Sequence, residues 1–318
     1  MSVHAALGRA ATLVSAVLLL AAPPVRAQSG AGTTSATVLR LAPSPRALAL
    51  GEAYAALADG LSLFYNPARL AAVDPMAGLS FQALPVGAGA GAFLGALPFG
   101  PGVLGTGLQY LNYGEIEVIE PDPGSGDEWG VPTGERVDGG EVALSVAYGL
   151  TLPGRIEVGA AARLLRLQLA EAVASGASFD IGAALDLLDG RLSLGGAVQH
   201  LGRELGPGRA SPLPRTFRLG AALRAGGVAG ARATLVAEGV RRAGGFRPAG
   251  GVEAVVPSPG GVGLLARVGY DGGRGDGRTP LALGAGAVAG RIAVDYAYRD
   301  LGALGPSHLF GVTLRLGR

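Results

Sequence analysis

Residues 291–299 read Arg-Ile-Ala-Val-Asp-Tyr-Ala-Tyr-Arg, and this stretch alternates strictly between two kinds of side chain. A period of two is the pattern of a β-strand with one apolar face, whereas a helix with 3.6 residues per turn would mix the two sets. The stretch therefore predicts a strand whose two faces meet different surroundings. The apolar set comprises Ile292, Val294, Tyr296 and Tyr298.

The same alternation recurs along the chain, for example at residues 215–224, 262–270 and 310–316. After the first seventy-odd residues the sequence divides into about fourteen such segments, joined alternately by tight turns and by longer polar connections. Short turns at one end, long loops at the other and an even strand count are typical of bacterial outer-membrane barrels. The sequence predicts an all-β fold, a transmembrane antiparallel β-barrel of about 14 strands. The tight connections lie near residues 99–102, 152–154, 188–190, 226–230, 257–260 and 289–290, and the longer ones near 114–140, 170–177, 201–214, 240–248, 271–280 and 300–307. Only the first hairpin, which turns near residues 86–89, lacks the long loop that this pattern requires.

Composition separates this interpretation from a soluble β-sandwich, which also alternates and also turns frequently. Hydrophobic residues make up 49% of the chain and charged residues only 16%, below the roughly 25% expected of a soluble domain. The segments are also close to the length of about 9 to 11 residues that crosses a bilayer at a tilt. The composition favours the membrane barrel.

The first 27 residues have the features of a secretory signal peptide. Arg9 precedes an apolar core at residues 10–22, and Val25-Arg26-Ala27 supplies small residues for cleavage before Gln28. We predict a signal peptide at residues 1–27, a flexible segment and plug at 28–77, and the barrel at 78–318. This organisation places the protein in the outer membrane of a Gram-negative-type bacterium. The chain has no cysteine, which excludes disulfides and thiolate metal sites.

The charge balance of the mature chain indicates no nucleic-acid partner. All 26 basic residues are arginine. Two of them, Arg9 and Arg26, belong to the predicted signal peptide, so 24 arginines face 24 acidic residues in the remainder. A formally neutral chain lacks the basic patches with which proteins bind phosphate backbones.

The segment before the first strand has a different pattern. Residues 46–50 and 52–58 are compatible with helices, and Asn66 followed by Pro67 and Ala68 predicts a capped helical turn, because Asn suits the N-cap and Pro the first helical position.

Residues 45–60, read together with residues 64–70, resemble the amino-terminal signature of the PorV/PorQ family, which is similar to FadL-type outer-membrane channels. The resemblance continues at residues 195–202, 213–220 and 293–298. It implies a fourteen-stranded barrel whose amino-terminal segment folds inward as a plug, with Asn66, Pro67 and Ala68 in that plug. Arg69 departs from the glycine that is usual after Asn-Pro-Ala in the family.

The predicted loop at residues 114–140 is strongly acidic. Arg136 is its one basic residue. Clustered carboxylates suit calcium or a basic partner, so the loop is a candidate external docking surface, and Trp129 could anchor a partner. A solvated acidic loop is the plainer alternative. The candidate docking residues are Glu115, Glu117, Glu120, Asp122, Asp127, Glu128, Trp129, Glu135 and Asp138, with Glu141 just beyond the loop.

Several arginines fall on the predicted lumen face of the strands, and they predict a solvated ion-pair lining that could also set ion selectivity. These are Arg218, Arg224, Arg267, Arg291 and Arg315, with Asp295 and Glu238. A catalytic alternative rests only on His200 and His308 near Ser211 and Ser307, and no nucleophile motif surrounds either serine.

The sequence thus predicts a noncatalytic barrel without cofactors, acting as an accessory or cargo-binding component of protein secretion, as the PorV/PorQ resemblance implies. The alternative is a FadL-like channel for uptake of hydrophobic small molecules. The predicted partners are outer-membrane lipid and either secreted cargo and secretion-system proteins or a hydrophobic solute.

Overall fold

The computed structural model describes residues 34–122, 124, 129–227, 230–242, 245–272 and 279–317. The predicted signal peptide and its cleavage site lie outside these ranges. None of the helices in the described ranges is long and apolar enough to cross a membrane.

Fourteen antiparallel strands form a closed barrel in which each strand pairs with its sequence neighbours and β1 pairs with β14. The strands are β1 (Met76–Ala83), β2 (Gly89–Phe99), β3 (Gly102–Pro121), β4 (Gly130–Leu152), β5 (Ile156–Leu169), β6 (Ala172–Leu187), β7 (Leu192–Gly202), β8 (Thr216–Gly226), β9 (Arg232–Arg242), β10 (Gly245–Ser258), β11 (Val262–Asp271), β12 (Leu281–Ala289), β13 (Ile292–Asp300) and β14 (Pro306–Arg315). Closure removes the free sheet edges that an open sheet would present. The predicted strand number is confirmed, and the first strand begins at Met76, two residues before the predicted boundary.

The outer surface of the barrel is apolar. In β13 the outward Ile292 and Val294 are 51% and 53% exposed, while Ala297 and Arg299 of the opposite face are buried. Large outward side chains repeat this arrangement around the barrel, among them Leu79, Phe93, Leu164, Ile181, Leu219, Leu264, Leu283 and Phe310. A soluble sandwich would not expose so continuous an apolar surface, and a barrel in lipid requires it.

Three of the six predicted long loops are wrong, because strands occupy most of these residues in the structure. Strands β3 and β4 continue through most of residues 114–140, β5 and β6 are separated only by residues 170–171, and β9 and β10 only by residues 243–244. The polar residues there remain paired in extended hairpins, because a two-stranded ladder beyond the bilayer keeps its hydrogen bonds in water as well as in lipid. We call this end of the barrel the loop end, and the opposite end, with the six predicted tight connections, the tight-turn end.

The segment before β1 lies inside the barrel as a plug. It contains a one-turn 3₁₀ helix (Thr37–Arg40), two short α-helices, α1 (Pro45–Ala49) and α2 (Ser62–Tyr65), and a second 3₁₀ helix (Pro67–Ala72). The plug begins at the loop end, where the Ser35 amide donates to the Pro212 carbonyl at 3.0 Å. It leaves at the tight-turn end, where the Pro75 carbonyl accepts from the Leu316 amide at 2.7 Å.

The helix predicted at residues 52–58 is wrong. Gly51 and Glu52 both have positive φ, at 67° and 62°, so the chain turns sharply after α1. Gly51 approaches the barrel wall so closely that a Cβ on it would lie 2.2 Å from the Tyr270 carbonyl oxygen. The close approach to the wall, rather than helix propensity, decides the conformation here.

Glycine rows in the wall make room for the plug. Gly149, Gly159 and Gly182 are direct cross-strand partners on β4, β5 and β6. A Cβ on Gly159 would lie 2.4 Å from the Pro67 carbonyl carbon, and one on Gly182 would lie 2.0 Å from Asn66 Oδ1. The plug backbone therefore packs directly on the wall backbone, which explains part of the high glycine content. Further wall glycines that face the plug are Gly105, Gly107, Gly195, Gly251, Gly269, Gly284 and Gly311.

We predict that Gly159→Ala destabilises the protein by about 1–3 kcal/mol, because overpacking in a tight interior costs energy of this order. Thermal unfolding followed by circular dichroism measures the effect. Gly95→Ala in β2 is the matched control, since a Cβ there meets its nearest neighbour, Thr106 Oγ1, at an ordinary 3.6 Å. Equal melting temperatures for the two variants would contradict the packing argument.

Candidate functional site in the barrel lumen

Asn66, Pro67 and Ala68 lie in the plug where it meets the glycine row. Asn66 is fully buried and caps the second 3₁₀ helix, its Oδ1 accepting from the Ala68 amide at 3.2 Å. Its Nδ2 donates to the Ala55 carbonyl at 2.7 Å and to the Ala183 carbonyl of β6 at 3.2 Å. One side chain therefore caps a helix, joins two plug segments and ties both to the wall.

Arg69, which departs from the family pattern, has its own partners in the wall. Its guanidinium donates to Glu157 of β5 at 2.7 Å and lies 3.1 Å from Asp186 of β6. The Arg69 side chain is only 1% exposed. Two carboxylates around one buried guanidinium make this ion pair a strong attachment between plug and barrel.

A second attachment involves Arg46 of α1. Arg46 pairs with Glu253 of β10 at 2.7 Å and with Asp59 of the plug at 2.5 Å. Tyr54 donates its phenol proton to the same Asp59 carboxylate. Burial, with Asp59 adding to it and Arg46 opposing it, raises the pKa of the Tyr54 phenol well above its usual range, so the phenol keeps its proton.

Two of the predicted lumen arginines, Arg218 and Arg267, are buried in ion pairs, so the prediction of a solvated lining is wrong for them. Arg218 is buried, donates to Glu238 at 2.6 Å and also donates to the plug carbonyl of Glu52 at 3.2 Å. Arg267 pairs with Glu253 and with Asp295 at 2.6 and 2.5 Å. Because the plug excludes water from this part of the lumen, the charges find partners on the wall and on the plug.

Sequence reasoning missed several members of this network. Arg163 is buried, pairs with Asp180 and donates to the Leu63 carbonyl of α2 at 3.1 Å. Arg299 pairs with Glu52 at 3.2 Å. Both arginines occupy inward positions of their strands, so the period of two would have identified them, although their partners depend on where the plug lies.

The loop end of the lumen contains an apolar cluster. Val38 and Leu39 of the plug pack there against wall residues and against the β7–β8 connection. Polar contacts of this segment include the Val38 amide donating to Glu141 at 2.7 Å, Gln109 donating to the Val38 carbonyl at 3.3 Å, and the Ser35 hydroxyl donating to the Ser211 carbonyl at 3.0 Å. The cluster's other members are Ala36, Ala90, Leu111, Ala143, Leu165, Leu167, Leu205 and Leu213.

The tight-turn side of the plug contains a cavity of about 1120 Å³. Its apolar lining includes Leu61, Val73 and Leu94. Three of its four acids, Asp59, Glu253 and Asp295, are already paired with Arg46 or Arg267, and the fourth is Asp74. The arginines at its mouth have no carboxylate within ion-pair distance among the described residues, so the cavity is cationic. They are Arg191, Arg224, Arg232, Arg291 and Arg315.

The predicted acidic docking loop is a hairpin formed by the ends of β3 and β4. Exposed Arg136 pairs with exposed Glu115 across it, and the Asp122 amide donates to the Trp129 carbonyl at 2.9 Å near its tip. Trp129 is 72% exposed. Within the described residues, no group of three acidic or histidine side chains is placed to hold a metal ion. Glu117, Glu120, Glu135 and Asp138 lie in the hairpin's strands, and Asp127 and Glu128 lie outside the described residues.

Glu141 belongs to the lumen and not to the external acidic surface. It is 4% exposed and accepts from the Val38 amide and from the Tyr113 hydroxyl. Its position inside the barrel follows from the period of two in β4.

The two histidines of the described residues, His200 and His308, lie near the loop end. His200 is buried, and its Nδ1 lies 3.0 Å from the Pro214 carbonyl oxygen. His308 Nδ1 lies 2.9 Å from the Tyr296 hydroxyl. Ser307 accepts from Gln82 at 2.8 Å, and Ser211 lies in the β7–β8 connection, where its backbone pairs with Leu205.

Solved structures with the same architecture include two toluene transporters and a FadL homologue. The P. putida toluene transporter TodX aligns with a TM-score of 0.56 and 10% identity, over 87% of this chain and 99% of that one. The Ralstonia pickettii toluene transporter TbuX aligns at 0.52 and 12%, over 86% and 98%. A Pseudomonas aeruginosa FadL homologue aligns at 0.53 and 10%, over 86% and 98%.

No protein-family model matches the sequence, and no curated protein matches it. At these identities the structural likeness shows the fold alone. The chain folds as a fourteen-stranded barrel of the FadL type, and the finer resemblance to the PorV/PorQ family stays a prediction.

We predict that Arg69→Met loosens the plug and destabilises the protein by about 3–5 kcal/mol, because it leaves the buried carboxylate of Glu157 and the partly exposed one of Asp186 without their counter-charge. Thermal unfolding and protease sensitivity of the plug measure this. Adding Glu157→Gln should recover part of the loss, since the amide carries no charge. Arg136→Met is the matched control, because its ion pair with Glu115 is exposed and contributes at most about 1 kcal/mol. Equal losses for Arg69→Met and Arg136→Met would contradict the prediction.

We also predict that the pore of a variant with a loosened plug, such as Arg69→Met, prefers anions, because arginines without carboxylate partners at a pore mouth attract them. Reversal potentials in planar bilayers under a potassium chloride gradient measure the preference. Replacing Arg291 and Arg315 with glutamine should move the reversal potential towards zero. Arg241 is exposed and absent from the cavity lining, so Arg241→Gln is the control. An unchanged reversal potential in the Arg291→Gln and Arg315→Gln double variant would show that these arginines do not set the ion selectivity.

Proposed function

We propose that this protein is a noncatalytic outer-membrane channel that admits hydrophobic small molecules, with the plug as its gate. The observation that carries the proposal is the apolar cluster at the loop end of the lumen. There the side chains of Val38 and Leu39 occupy the leucine-rich wall surface on which an apolar solute would bind.

The contacts of the plug differ between its two parts. A gate requires one part that can move and another that stays fixed. The first part, residues 34–41, packs apolar side chains on the wall and makes hydrogen bonds such as the one from the Val38 amide to Glu141. The later part is attached through the partly buried ion pairs of Arg46 and the buried ion pair of Arg69. A solute that binds the leucine surface competes with residues 34–41 alone, because replacing apolar contacts costs less than breaking buried ion pairs.

The remaining path also suits a solute. Beyond the plug, the cavity of about 1120 Å³ is larger than a pocket for a drug-sized molecule needs. The similar solved structures carry names that describe toluene transporters and monoaromatic hydrocarbon channels. These names describe those proteins, and they support extending the same class of solute to this one.

A matched pair of variants tests the proposal. Leu165, 3% exposed, belongs to the apolar cluster, and its neighbour Leu164, 64% exposed, faces the lipid. We expect Leu165→Ser to lower uptake of radiolabelled toluene by cells expressing the protein, and Leu164→Ser to leave uptake near that of the parent. The channel would be refuted if cells expressing the parent protein took up no more toluene than cells without it.

The rival proposal is an accessory or cargo-binding role in protein secretion, which rests on the resemblance of residues 45–70 to the PorV/PorQ family. In this case the acidic hairpin of β3 and β4 is the docking surface. Native mass spectrometry after gentle extraction separates the two proposals. A bound hydrophobic small molecule supports the channel. A secreted protein whose binding is lost when Glu115, Glu117, Glu135 and Asp138 are changed to amides supports secretion.

A further inference from the structure

Positive charge gathers at the mouth of the cavity on the tight-turn side of the plug. Seven arginines and four acids line this cavity, so its lining carries a net charge of +3. Arg46 and Arg267 are paired with three of the acids, which leaves five arginines that we call the mouth arginines. They are Arg191, Arg224, Arg232, Arg291 and Arg315.

The mouth arginines point into the lumen and not towards lipid. Arg315 lies between the outward Leu314 and Leu316, and Arg291 directly precedes the outward Ile292. Neighbouring residues of a strand point to opposite faces, so both arginine side chains face inward, where they line the cavity. Lipid headgroups surround the outer face of a barrel and do not account for this arrangement.

Four of the mouth arginines are exposed, and the fifth is partly neutralised. Arg224 is half-buried and donates to the Ser193 hydroxyl at 2.8 Å and to the Gly190 carbonyl at 3.0 Å. Ser193 in turn donates to Asp186, which also lies 3.1 Å from Arg69. The unpaired charge is therefore carried by the four exposed side chains, which have no carboxylate of the described residues within ion-pair distance. These are Arg191, Arg232, Arg291 and Arg315.

Exposed acids do not balance these arginines. Within the part of the chain that the structure describes, the exposed carboxylates at this end belong to Asp74 at the cavity and to Asp189 in the β6–β7 turn. Exposed Arg155 in the β4–β5 turn adds a further positive charge. The acidic hairpin of β3 and β4 lies at the opposite end of the barrel. An anionic partner is thus attracted to the tight-turn end and repelled from the hairpin.

The exposed mouth arginines form two sets on separate parts of the wall. Arg191 and Arg232 lie at the ends of β7 and β9, and Arg291 and Arg315 lie at the ends of β13 and β14. Strands β10 to β12 separate the two sets. Neighbouring strands are about 4.8 Å apart, so the four steps from β9 to β13 span roughly 19 Å along the wall. A small anion reaches one set at a time, whereas about six extended residues, at about 3.3 Å each, reach both.

We propose that the mouth arginines dock an acidic segment of a protein in the compartment on the tight-turn side, which is the periplasm for bacterial outer-membrane barrels. A segment with several carboxylates engages both sets at once. Each exposed ion pair is weak by itself, but contacts made after the first are intramolecular, so that they add to the affinity. The docked partner lies where a solute that has passed the plug leaves the barrel. Such a partner binds the channel whatever solute passes through it.

Two acidic peptides of different length test the docking. Fluorescein-labelled decaglutamate and tetraglutamate are titrated with the full chain in phosphatidylcholine nanodiscs, and binding is followed by fluorescence anisotropy. The salt concentration is kept near about 20 mM, where exposed charges are weakly screened. We expect decaglutamate to bind at least about tenfold more tightly than tetraglutamate, because only the longer peptide reaches both sets.

Two double variants and a matched control locate the binding. Arg291→Gln with Arg315→Gln removes one set, and Arg191→Gln with Arg232→Gln removes the other. Each double variant should bind decaglutamate about tenfold more weakly, since one set then remains to hold the peptide. Arg155→Gln should keep the affinity of the parent, because Arg155 is exposed at the same end and does not line the cavity.

The proposal would be overturned if decaglutamate did not bind, or if both double variants bound it as tightly as the parent. Equal affinities for the two peptides would show separate sites for small anions in place of a docking surface. Displacement of decaglutamate by an equal concentration of the soluble lipid dihexanoyl-phosphatidylglycerol would assign the mouth arginines to lipid headgroups, and it would also contradict the docking of a protein segment.

Discussion

The structure depends on how a barrel of fourteen strands fills its own interior. Eight strands enclose a space that wall side chains fill, and larger barrels leave room inside. Here the plug occupies that room, and its backbone lies directly on rows of wall glycines such as Gly149, Gly159 and Gly182. Backbone groups that are buried in this way need partners, and inward side chains such as Gln199, which donates to the Phe64 carbonyl at 2.7 Å, supply them.

The charges of the lumen follow from the same constraint. Where the plug excludes water, an arginine needs a carboxylate partner, so Arg46 and Arg69 of the plug meet Glu253 and Glu157 of the wall. Buried ion pairs are weak evidence for net stability, because desolvation opposes them, but losing one partner is costly. They therefore hold the plug in a single position more than they strengthen the barrel.

The two sides of the plug differ in chemistry. Towards the loop end, the first residues of the plug cover a leucine-rich surface. Towards the tight-turn end, a large cavity carries arginines without carboxylate partners in the described part of the chain. This asymmetry gives an apolar solute a place to bind on one side and a space to enter on the other, and the strongly attached middle of the plug separates them.

The sequence by itself determined the features that depend on local pattern. The period of two identified the strands, the spacing of turn residues set their number at fourteen, and Asn66-Pro67 located a helical turn, since each signal spans only a few residues. Only the tertiary structure decided the features that depend on distant contacts. It placed Glu141 in the lumen against Val38, aligned the wall glycines against residues 66–68, and turned the chain at Gly51 where a helix was expected. It also extended β3 and β4 into a hairpin where a loop was expected. These outcomes depend on cross-strand register and on the position of the plug, which residues far apart in the chain set together.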